Sequence, residues 1–130
     1  MNELLTKTVD WHKSRNLIDG ATDWSQSNKL LEEFIELIAS QYYEKSAESL
    51  ADIVRLMIDD LLRNGRIKPV MRKDKESAKL DAIGDMMVVL TNIAERNKSS
   101  LETCLGLAYN EIKDRKGRMI NGSFIKESDL

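Results

Sequence analysis

Apolar residues recur every three or four positions along most of this chain, a spacing that is typical of helices with one buried face. Chain breakers are few, since the 130 residues include one proline and six glycines. The pattern predicts five helices and no strand, with bounds near 2–15, 23–44, 47–63, 76–96 and 100–116. Residues 119–130 show no period and are expected to form an extended tail.

Side chains that can cap helices support three of the predicted starts. Ser46 precedes the third helix as a candidate N-cap. Ser99 with Glu102 has the spacing of a capping box before the fifth helix, and Asp23 with Gln26 repeats that spacing at the second. These residues define where the helices are expected to begin.

The second predicted helix carries an acidic cluster in the run K-L-L-E-E-F-I-E-L. Apolar residues cover one broad arc of this helix, and Glu32, Glu33 and Glu36 occupy the other side. Carboxylates three and four residues apart share a helix face and repel one another. A solvated face explains this cluster adequately, so the helix alone does not require a bound ion.

The fourth predicted helix is apolar nearly all round, which is typical of a buried helix. Asp81, Asp85 and Asn92 form a separate stripe on it, in and beyond the run L-D-A-I-G-D-M-M-V-V-L. Buried carboxylates are paired, protonated or bound to metal. The pattern therefore favours a functional role for these residues. An Asp–Arg pair inside a bundle is the structural alternative.

Composition indicates one soluble globular domain over residues 1–130, with 42% hydrophobic and 32% charged residues. A net charge of −2 gives no electrostatic reason to expect nucleic acid or a membrane surface as a partner. No apolar run approaches the roughly 18 residues that span a bilayer, and no signal-peptide pattern is present. The single cysteine, Cys104, excludes an intramolecular disulfide and is expected to lie in the core of a cytoplasmic protein.

The available ligand types narrow the chemistry of a possible metal site. A divalent cation between two acidic helices would remove their mutual repulsion, and carboxylates without thiolates or imidazoles suit Mg²⁺ or Mn²⁺ rather than Zn²⁺. His12 is the only histidine and is expected at the surface or in packing. Ferritin-like di-iron sites need two Glu-x-x-His pairs, so they are excluded, and Ser-His-Asp catalysis has no support.

A basic run ends the fifth predicted helix. The run N-E-I-K-D-R-K-G-R places Asn110, Lys113, Arg115, Lys116 and Arg118 together. Cations at the carboxyl end of a helix complement its macrodipole, and this is sufficient as a structural explanation. Opposite an acidic metal site, the same residues become candidate phosphate ligands.

The order of these runs resembles the MazG-type, all-α nucleoside triphosphate pyrophosphohydrolase family, and in particular its short single-domain members, including those of bacteriophages. The runs are K-L-L-E-E-F-I-E-L, D-A-I-G-D-M-M-V-V-L and A-Y-N-E-I-K-D-R-K-G-R-M, and the resemblance extends over about 11–124. The family pattern is E-E-x-x-E followed by E-x-x-D. Glu32, Glu33 and Glu36 match the first half of this pattern, and Asp85 matches the aspartate of the second half. Ala82 stands where the family usually has its glutamate, and the neighbouring Asp81 is the candidate substitute.

The resemblance implies hydrolysis of a (deoxy)nucleoside triphosphate to the monophosphate and pyrophosphate, with Mg²⁺ or Mn²⁺ as cofactor. It implies a four-helix-bundle core of five helices that assembles as a homodimer or homotetramer in a bacterial or phage-infected cell. The implied metal ligands are Glu33, Glu36 and Asp85, with Glu32 and Asp81 as further ligands or as the catalytic base. The implied substrate-binding residues are Asn92, Asn110, Lys113, Arg115, Arg118 and Trp24, with Trp11 as a second aromatic candidate, although packing is the expected role of both tryptophans.

Two other functions remain open from the sequence. A helical interaction or nucleotide-binding module could have kept the fold and lost catalysis at Ala82. A nucleic-acid binder would use the basic segments around Arg72 and Arg115, but both segments lack interleaved aromatic residues, so this function is not expected. The apolar third helix is either a surface for a partner subunit or part of a core within the chain.

Overall fold

The structure, a computed structural model, describes residues 1–130 and is helical apart from one hairpin near the carboxyl terminus. This confirms the all-helical class and the number of helices. No helix is both long and apolar enough to cross a membrane. The elements are α1 (Asn2–Ser14), α2 (Asp23–Gln41), α3 (Ala47–Arg63), a 3-10 turn (Arg72–Asp74), α4 (Lys75–Arg96), α5 (Leu101–Ile112), β1 (Gly117–Ile120), β2 (Ser123–Lys126) and a second 3-10 turn (Glu127–Asp129).

The chain divides into two compact units, of which Asp23–Val70 is one. This unit is a pair of packed helices, α2 and α3, with Ile38 and Val54 as its buried apolar residues. The predicted cap of α3 is confirmed, because the Oγ of Ser46 accepts a hydrogen bond from the backbone N–H of Ser49 at 3.1 Å. The side chain therefore satisfies one of the unpaired donors at the start of the helix.

The other unit, Met1–Thr22 with Met71–Leu130, contains α1, α4, α5 and the hairpin. In it α5 packs against both α1 and α4. The indole N–H of Trp11 donates to the carbonyl of Ile112 at 2.9 Å, and the ring meets the edge of Phe124 at a centroid distance of 5.7 Å. Trp11 thus joins the ends of α1 and α5 to the hairpin.

The carboxyl-terminal hairpin corrects two predictions. The fifth helix ends at Ile112 rather than near residue 116, and the expected extended tail contains most of an antiparallel pair of strands. Asn121 and Gly122 have φ of 51° and 80°, and positive φ at both central residues is what a two-residue type I′ turn requires. Asn-Gly between two short apolar runs is the sequence signal for such a turn.

The start of α5 also differs from the prediction by one residue. Ser100 rather than Ser99 is the N-cap, and its Oγ accepts from the backbone N–H of Thr103 at 3.1 Å. Glu102 does not complete a capping box but hydrogen-bonds the amino-terminal ammonium group of the chain. Cys104 is exposed on this helix, so the expectation that it lies in the core is wrong.

The bounds of α2 differ slightly from the prediction. Asp23 is the first helical residue, so the expected capping residue lies inside the helix. The helix ends at Gln41, and Glu44, the expected end, has φ of +64°. A right-handed helix cannot continue through that backbone conformation.

The expected burial of α4 is wrong. Asp81 and Asp85 are exposed, and seven large apolar side chains from Leu80 to Leu90 are each at least 38% exposed. Within its unit α4 packs mainly against α5 and the preceding 3-10 turn, and Ala94 is its one buried residue. The surface of α4 is apolar nearly all round, and these neighbours leave most of it uncovered.

Candidate functional site

The three glutamates of α2 lie on its exposed surface, as the sequence pattern predicts. Lys29, one turn earlier, forms ion pairs with two of them. Its Nζ lies 3.2 Å from the Oε2 of Glu32 and 3.4 Å from the Oε1 of Glu33. All three side chains of this group are more than half exposed. A cation of the protein itself therefore offsets part of the repulsion within the cluster.

The charge state of Lys29 follows from two opposing effects. Partial burial by itself lowers the pKa of Lys29, but hydrogen bonds and charge interactions with Glu32 and Glu33 outweigh it and raise the pKa above its usual value. The ammonium group is therefore fully charged at neutral pH. Lys29 is absent from the sequence-predicted site. Its position three residues before Glu32 and four before Glu33 is nevertheless the spacing at which ion pairs form on a helix.

The acidic stripe of α4 is open to solvent. Asp81, Asp85 and Asn92 are all exposed, and their spacing of four and seven residues keeps them on one face. An open depression of about 670 Å³ borders the start of the helix and is lined by Ser77, Ala78, Leu80 and Asp81. Because these carboxylates are exposed to solvent, they do not need a counter-charge to offset a cost of burial. What the structure provides is an accessible acidic face.

By donor type and by accessibility, the carboxylates of each acidic group suit Mg²⁺. Carboxylate oxygens are the ligands that Mg²⁺ prefers in proteins. Within either unit, no three Asp, Glu, His or Cys side chains lie close enough together to hold one ion. Mg²⁺ usually keeps several waters and is bound through one or two carboxylates together with substrate phosphates. One or two accessible carboxylates from either group would therefore be a fitting contribution to an ion that also contacts substrate phosphates.

The basic segment, defined here as residues 113–118, leads from the end of α5 into β1. Lys113 and Arg118 are exposed. The Nη2 of Arg115 lies 3.8 Å from the Oε1 of Glu111, and the Arg115 side chain is 31% exposed. Lys113 and Arg118 are thus more accessible than Arg115, which also faces Glu111, a carboxylate in the last turn of α5.

Arg15, from just beyond α1, holds the backbone of this segment. Its Nη2 donates to the carbonyls of Lys113 and Arg115 at 3.0 Å each, and its Nε donates to the carbonyl of Arg115 at 3.2 Å. The guanidinium carbon lies 4.5 Å from the ring centroid of Trp11. Carbonyls at the carboxyl end of a helix carry partial negative charge, so Arg15 provides the favourable cation there. No local sequence signal pairs it with residues 98 and 100 positions later.

The aromatic and amide candidates differ in accessibility. Trp11 is 9% exposed and packs as expected, so its ring is not available to a ligand. Trp24 is 79% exposed in the first turn of α2, which makes the packing expectation wrong and leaves its ring accessible. Asn110 is exposed in the last turn of α5. His12 packs edge-on against Trp11, with its Nδ1 2.8 Å from a backbone carbonyl, in agreement with the expected packing role.

No protein-family model matches the chain, and no curated protein or solved structure matches it.

Proposed function

We propose that the protein hydrolyses a (deoxy)nucleoside triphosphate to the monophosphate and pyrophosphate, with Mg²⁺ as cofactor and Mn²⁺ as an alternative ion. The observation that carries this proposal is the E-E-x-x-E run, whose glutamates Glu32, Glu33 and Glu36 are all exposed on one helix. An exposed Asp85 on α4 and the accessible cations after α5 support it further. This is the order of groups in the MazG-type family that the sequence resembles.

Glu33, Glu36 and Asp85 are the proposed metal ligands. Glu32 and Asp81 are further ligands or supply the base that takes a proton from the attacking water. The bound ion would polarise phosphate oxygens and lower the pKa of that water. Because Ala82 stands at the usual glutamate position, Asp81, about 100° around the helix, is the proposed replacement for the missing carboxylate.

Lys29 is the proposed counter-ion of the acidic cluster before metal binds. Its pairs with Glu32 and Glu33 are solvent-exposed, and exposed ion pairs contribute only about 0.2 to 1 kcal/mol. A divalent ion interacts more strongly with the same carboxylates, so exchange of the ammonium group for metal requires little energy. In this proposal Lys29 limits charge repulsion in the metal-free protein without blocking the site.

The basic segment is the proposed binding site for the phosphate groups of the leaving group. Lys113 and Arg118 would neutralise the charge that develops on the leaving group, which is the kind of electrostatic stabilisation that lowers reaction barriers most. Arg115 would contribute less, because its guanidinium group also faces Glu111. The exposure of the two principal cations supports this assignment.

The nucleoside contacts are assigned to residues of α2, α4 and α5. Asn110 would hydrogen-bond the sugar or a phosphate, and Asn92 would line the nucleoside pocket. Trp24 would stack on the base, since its ring is exposed and a tryptophan offers a large apolar face. All three side chains are accessible to a ligand.

The test is pyrophosphate release from a panel of eight ribo- and deoxyribonucleoside triphosphates, with Mg²⁺, Mn²⁺ or EDTA. We expect metal-dependent release with a preference for one base. Turnover that continues in EDTA would contradict the metal-dependent mechanism. The absence of release from every nucleotide by folded protein would contradict the proposed reaction.

A catalytically inactive helical module that binds nucleotides or another protein is the second candidate function. Ala82 in place of the usual glutamate and the exposed apolar surface of α4 favour it. Nucleotide binding by calorimetry without any turnover would support this alternative. Turnover that is lost on replacing Asp85 would exclude it.

The protein is further proposed to assemble as a homodimer or homotetramer in the cytoplasm of a bacterial or phage-infected cell. On α3, Leu56 and Leu62 are both 63% exposed, and α4 exposes a longer apolar surface. Large exposed apolar patches mark interaction sites. A second copy of the chain is the proposed occupant, in keeping with the sequence resemblance.

A further inference from the structure

We propose that Arg15, supported by Trp11, is a positioning residue for the cations that bind the phosphate groups of the leaving group, an inference that rests on the proposed function. The guanidinium group makes three hydrogen bonds to two backbone carbonyls of the basic segment, those of Lys113 and Arg115. None of its hydrogen bonds or ring contacts involves Asp81 or Asp85 of the same unit. Its contribution to the reaction therefore passes through the segment that it holds.

The geometry of this contact requires an arginine. A guanidinium group is planar and presents its N–H donors in a fixed fork, whereas a lysine ammonium is a compact point charge. Nε and Nη2 of Arg15 reach the same carbonyl of Arg115, and Nη2 also reaches that of Lys113. The plane rests against Trp11, whose own indole N–H donates to the carbonyl of Ile112. Three hydrogen bonds from Arg15 and one from Trp11 thus hold the backbone of residues 112–115 in place.

The hairpin fixes the other end of the basic segment. The backbone N–H of Glu127 donates to the carbonyl of Lys116 at 2.7 Å. Arg118 lies on β1 with a defined partner, Ile125, on β2, and Phe124 meets the ring of Trp11. The backbone that carries Lys113 and Arg118 is therefore held on both sides before any ligand arrives.

Such preorganisation has a consequence for catalysis. When a charged group is held in place, less ordering is needed as the transition state forms. A misplacement of about 1 Å by a change away from the chemistry can lower the rate on the order of 100-fold. Loss of the Arg15 contacts should therefore lower turnover while the charge of the basic segment stays unchanged.

The experiment compares Arg15→Lys with the wild type and with Arg63→Lys, a control at an exposed arginine of α3 in the other unit. Arg15→Lys keeps the positive charge but loses the fork. We expect kcat/KM to fall roughly 10- to 100-fold, mainly through kcat, because the interaction matters most in the transition state. The control should retain wild-type kinetics. Trp11→Phe, which keeps an aromatic ring and removes the donor, should act in the same direction and serves as a second variant if Arg15→Lys does not fold.

A double-mutant cycle separates positioning from general destabilisation. In an Arg118→Gln background, Arg15→Lys should lower kcat/KM by less than about threefold, since residues that act through one another are not additive. Full multiplication of the two losses would overturn the inference. Unchanged kinetics in both Arg15→Lys and Trp11→Phe would overturn it as well.

Binding of inorganic pyrophosphate with Mg²⁺, measured by calorimetry, distinguishes failure of this inference from failure of the proposed function. If the wild type turns over nucleotides and Arg15→Lys binds pyrophosphate as tightly as the wild type with normal kcat, the inference fails and the function stands. If the wild type binds pyrophosphate without any turnover, the function fails, and a roughly tenfold weaker affinity in Arg15→Lys would still support the positioning role. A wild type that neither turns over nucleotides nor binds pyrophosphate overturns both.

Discussion

Lys29 and Glu33 lie one helical turn apart on α2, and their 3.4 Å ion pair is open to solvent. Such a pair adds little to folding stability. Its position beside the E-E-x-x-E run matters more, because any metal that binds Glu33 competes with the ammonium group for the same oxygens. At the scale of single residues, Lys29 is therefore expected to tune metal affinity.

Replacement of Lys29 by methionine should tighten Mg²⁺ binding. An exposed pair is worth about 0.2 to 1 kcal/mol, and 1.4 kcal/mol is a factor of ten, so we expect the half-activating Mg²⁺ concentration to fall up to about fivefold. Mg²⁺ titration of pyrophosphate release measures this. Arg55→Met, which removes an exposed arginine paired with Asp52 on α3, is the matched control. A weaker Mg²⁺ affinity in Lys29→Met would contradict the competition.

The effect of Lys29 should not change with pH between 7 and 9. The pKa of Lys29 is raised in the folded protein, so the stability that its charge contributes is fully present below the unfolded value of about 10.4. That stability is lost only as the pH rises through the higher folded pKa. Chemical denaturation of wild type and Lys29→Met at several pH values measures the difference. A difference that disappears near neutral pH would contradict the assigned charge state.

Glu36→Ala and Asp85→Ala should each abolish turnover, with a loss of at least about 100-fold. Both side chains are exposed, so their removal leaves no buried cavity, and the far-ultraviolet circular dichroism should be unchanged. Asp59→Ala, which removes an exposed carboxylate from α3, should keep full activity. Loss of helicity in both site variants would instead favour structural ion pairs.

At the scale of elements, the hairpin determines where α5 ends and where the basic segment lies. Gly117 begins β1, and a Cβ there would lie 2.1 Å from the carbonyl oxygen of Ile125 and 2.8 Å from the ring of Phe124. Gly84, in the middle of α4, would place a Cβ in open space, with nothing within 4 Å. The two glycines therefore have opposite roles, one required by close packing and the other merely tolerated.

Gly117→Ala and Gly84→Ala should shift stability in opposite directions. The first forces the strands apart, and overpacking of this kind reduces the free energy of unfolding by about 1 to 3 kcal/mol. The second replaces the poorer helix former and should raise the free energy of unfolding by up to about 1 kcal/mol. Urea denaturation of the two variants measures both changes. Equal effects in the two variants would contradict the close contact at Gly117.

At the scale of the whole molecule, exposed apolar surface is the dominant feature. On α3 the inner residues pack on α2 around Val54, while the outer ones remain exposed. On α4 the uncovered stretch runs from Leu80 to Leu90. Association with further copies of the chain would remove this surface from water, at about 25 cal/mol for each Å² of apolar area.

We expect the wild type to sediment as a dimer or tetramer at micromolar concentration. Val88 on α4 is 68% exposed and Leu62 on α3 is 63% exposed. Val88→Lys and Leu62→Lys each place a charge on this apolar surface and should shift the distribution of oligomeric states toward monomer. Val70→Lys, at a 58% exposed apolar position outside the helices, is the matched control. Analytical ultracentrifugation measures the distribution. A wild type that stays monomeric at all concentrations would contradict assembly.

The sequence by itself determined the features that depend on neighbouring residues. The helical period placed the five helices, Ser46 marked the start of α3, and the arc opposite the apolar residues placed the glutamates of α2 at the surface. Such features follow from steric and hydrogen-bonding preferences over a few residues, which a sequence pattern records directly. The pairing of Lys29 with Glu32 and Glu33 also has a local spacing, although it was not among the predicted features.

Only the tertiary structure decided which apolar faces are covered and which distant residues meet. The pattern of α4 indicates that most of its surface is apolar but not whether neighbours exist to cover it, so the predicted burial of Asp85 failed. The contact of Arg15 with the end of α5 joins residues 98 and 100 positions apart. Contacts of this kind depend on how helices pack, and helix packing is set by the summed complementarity of many side chains rather than by any local spacing.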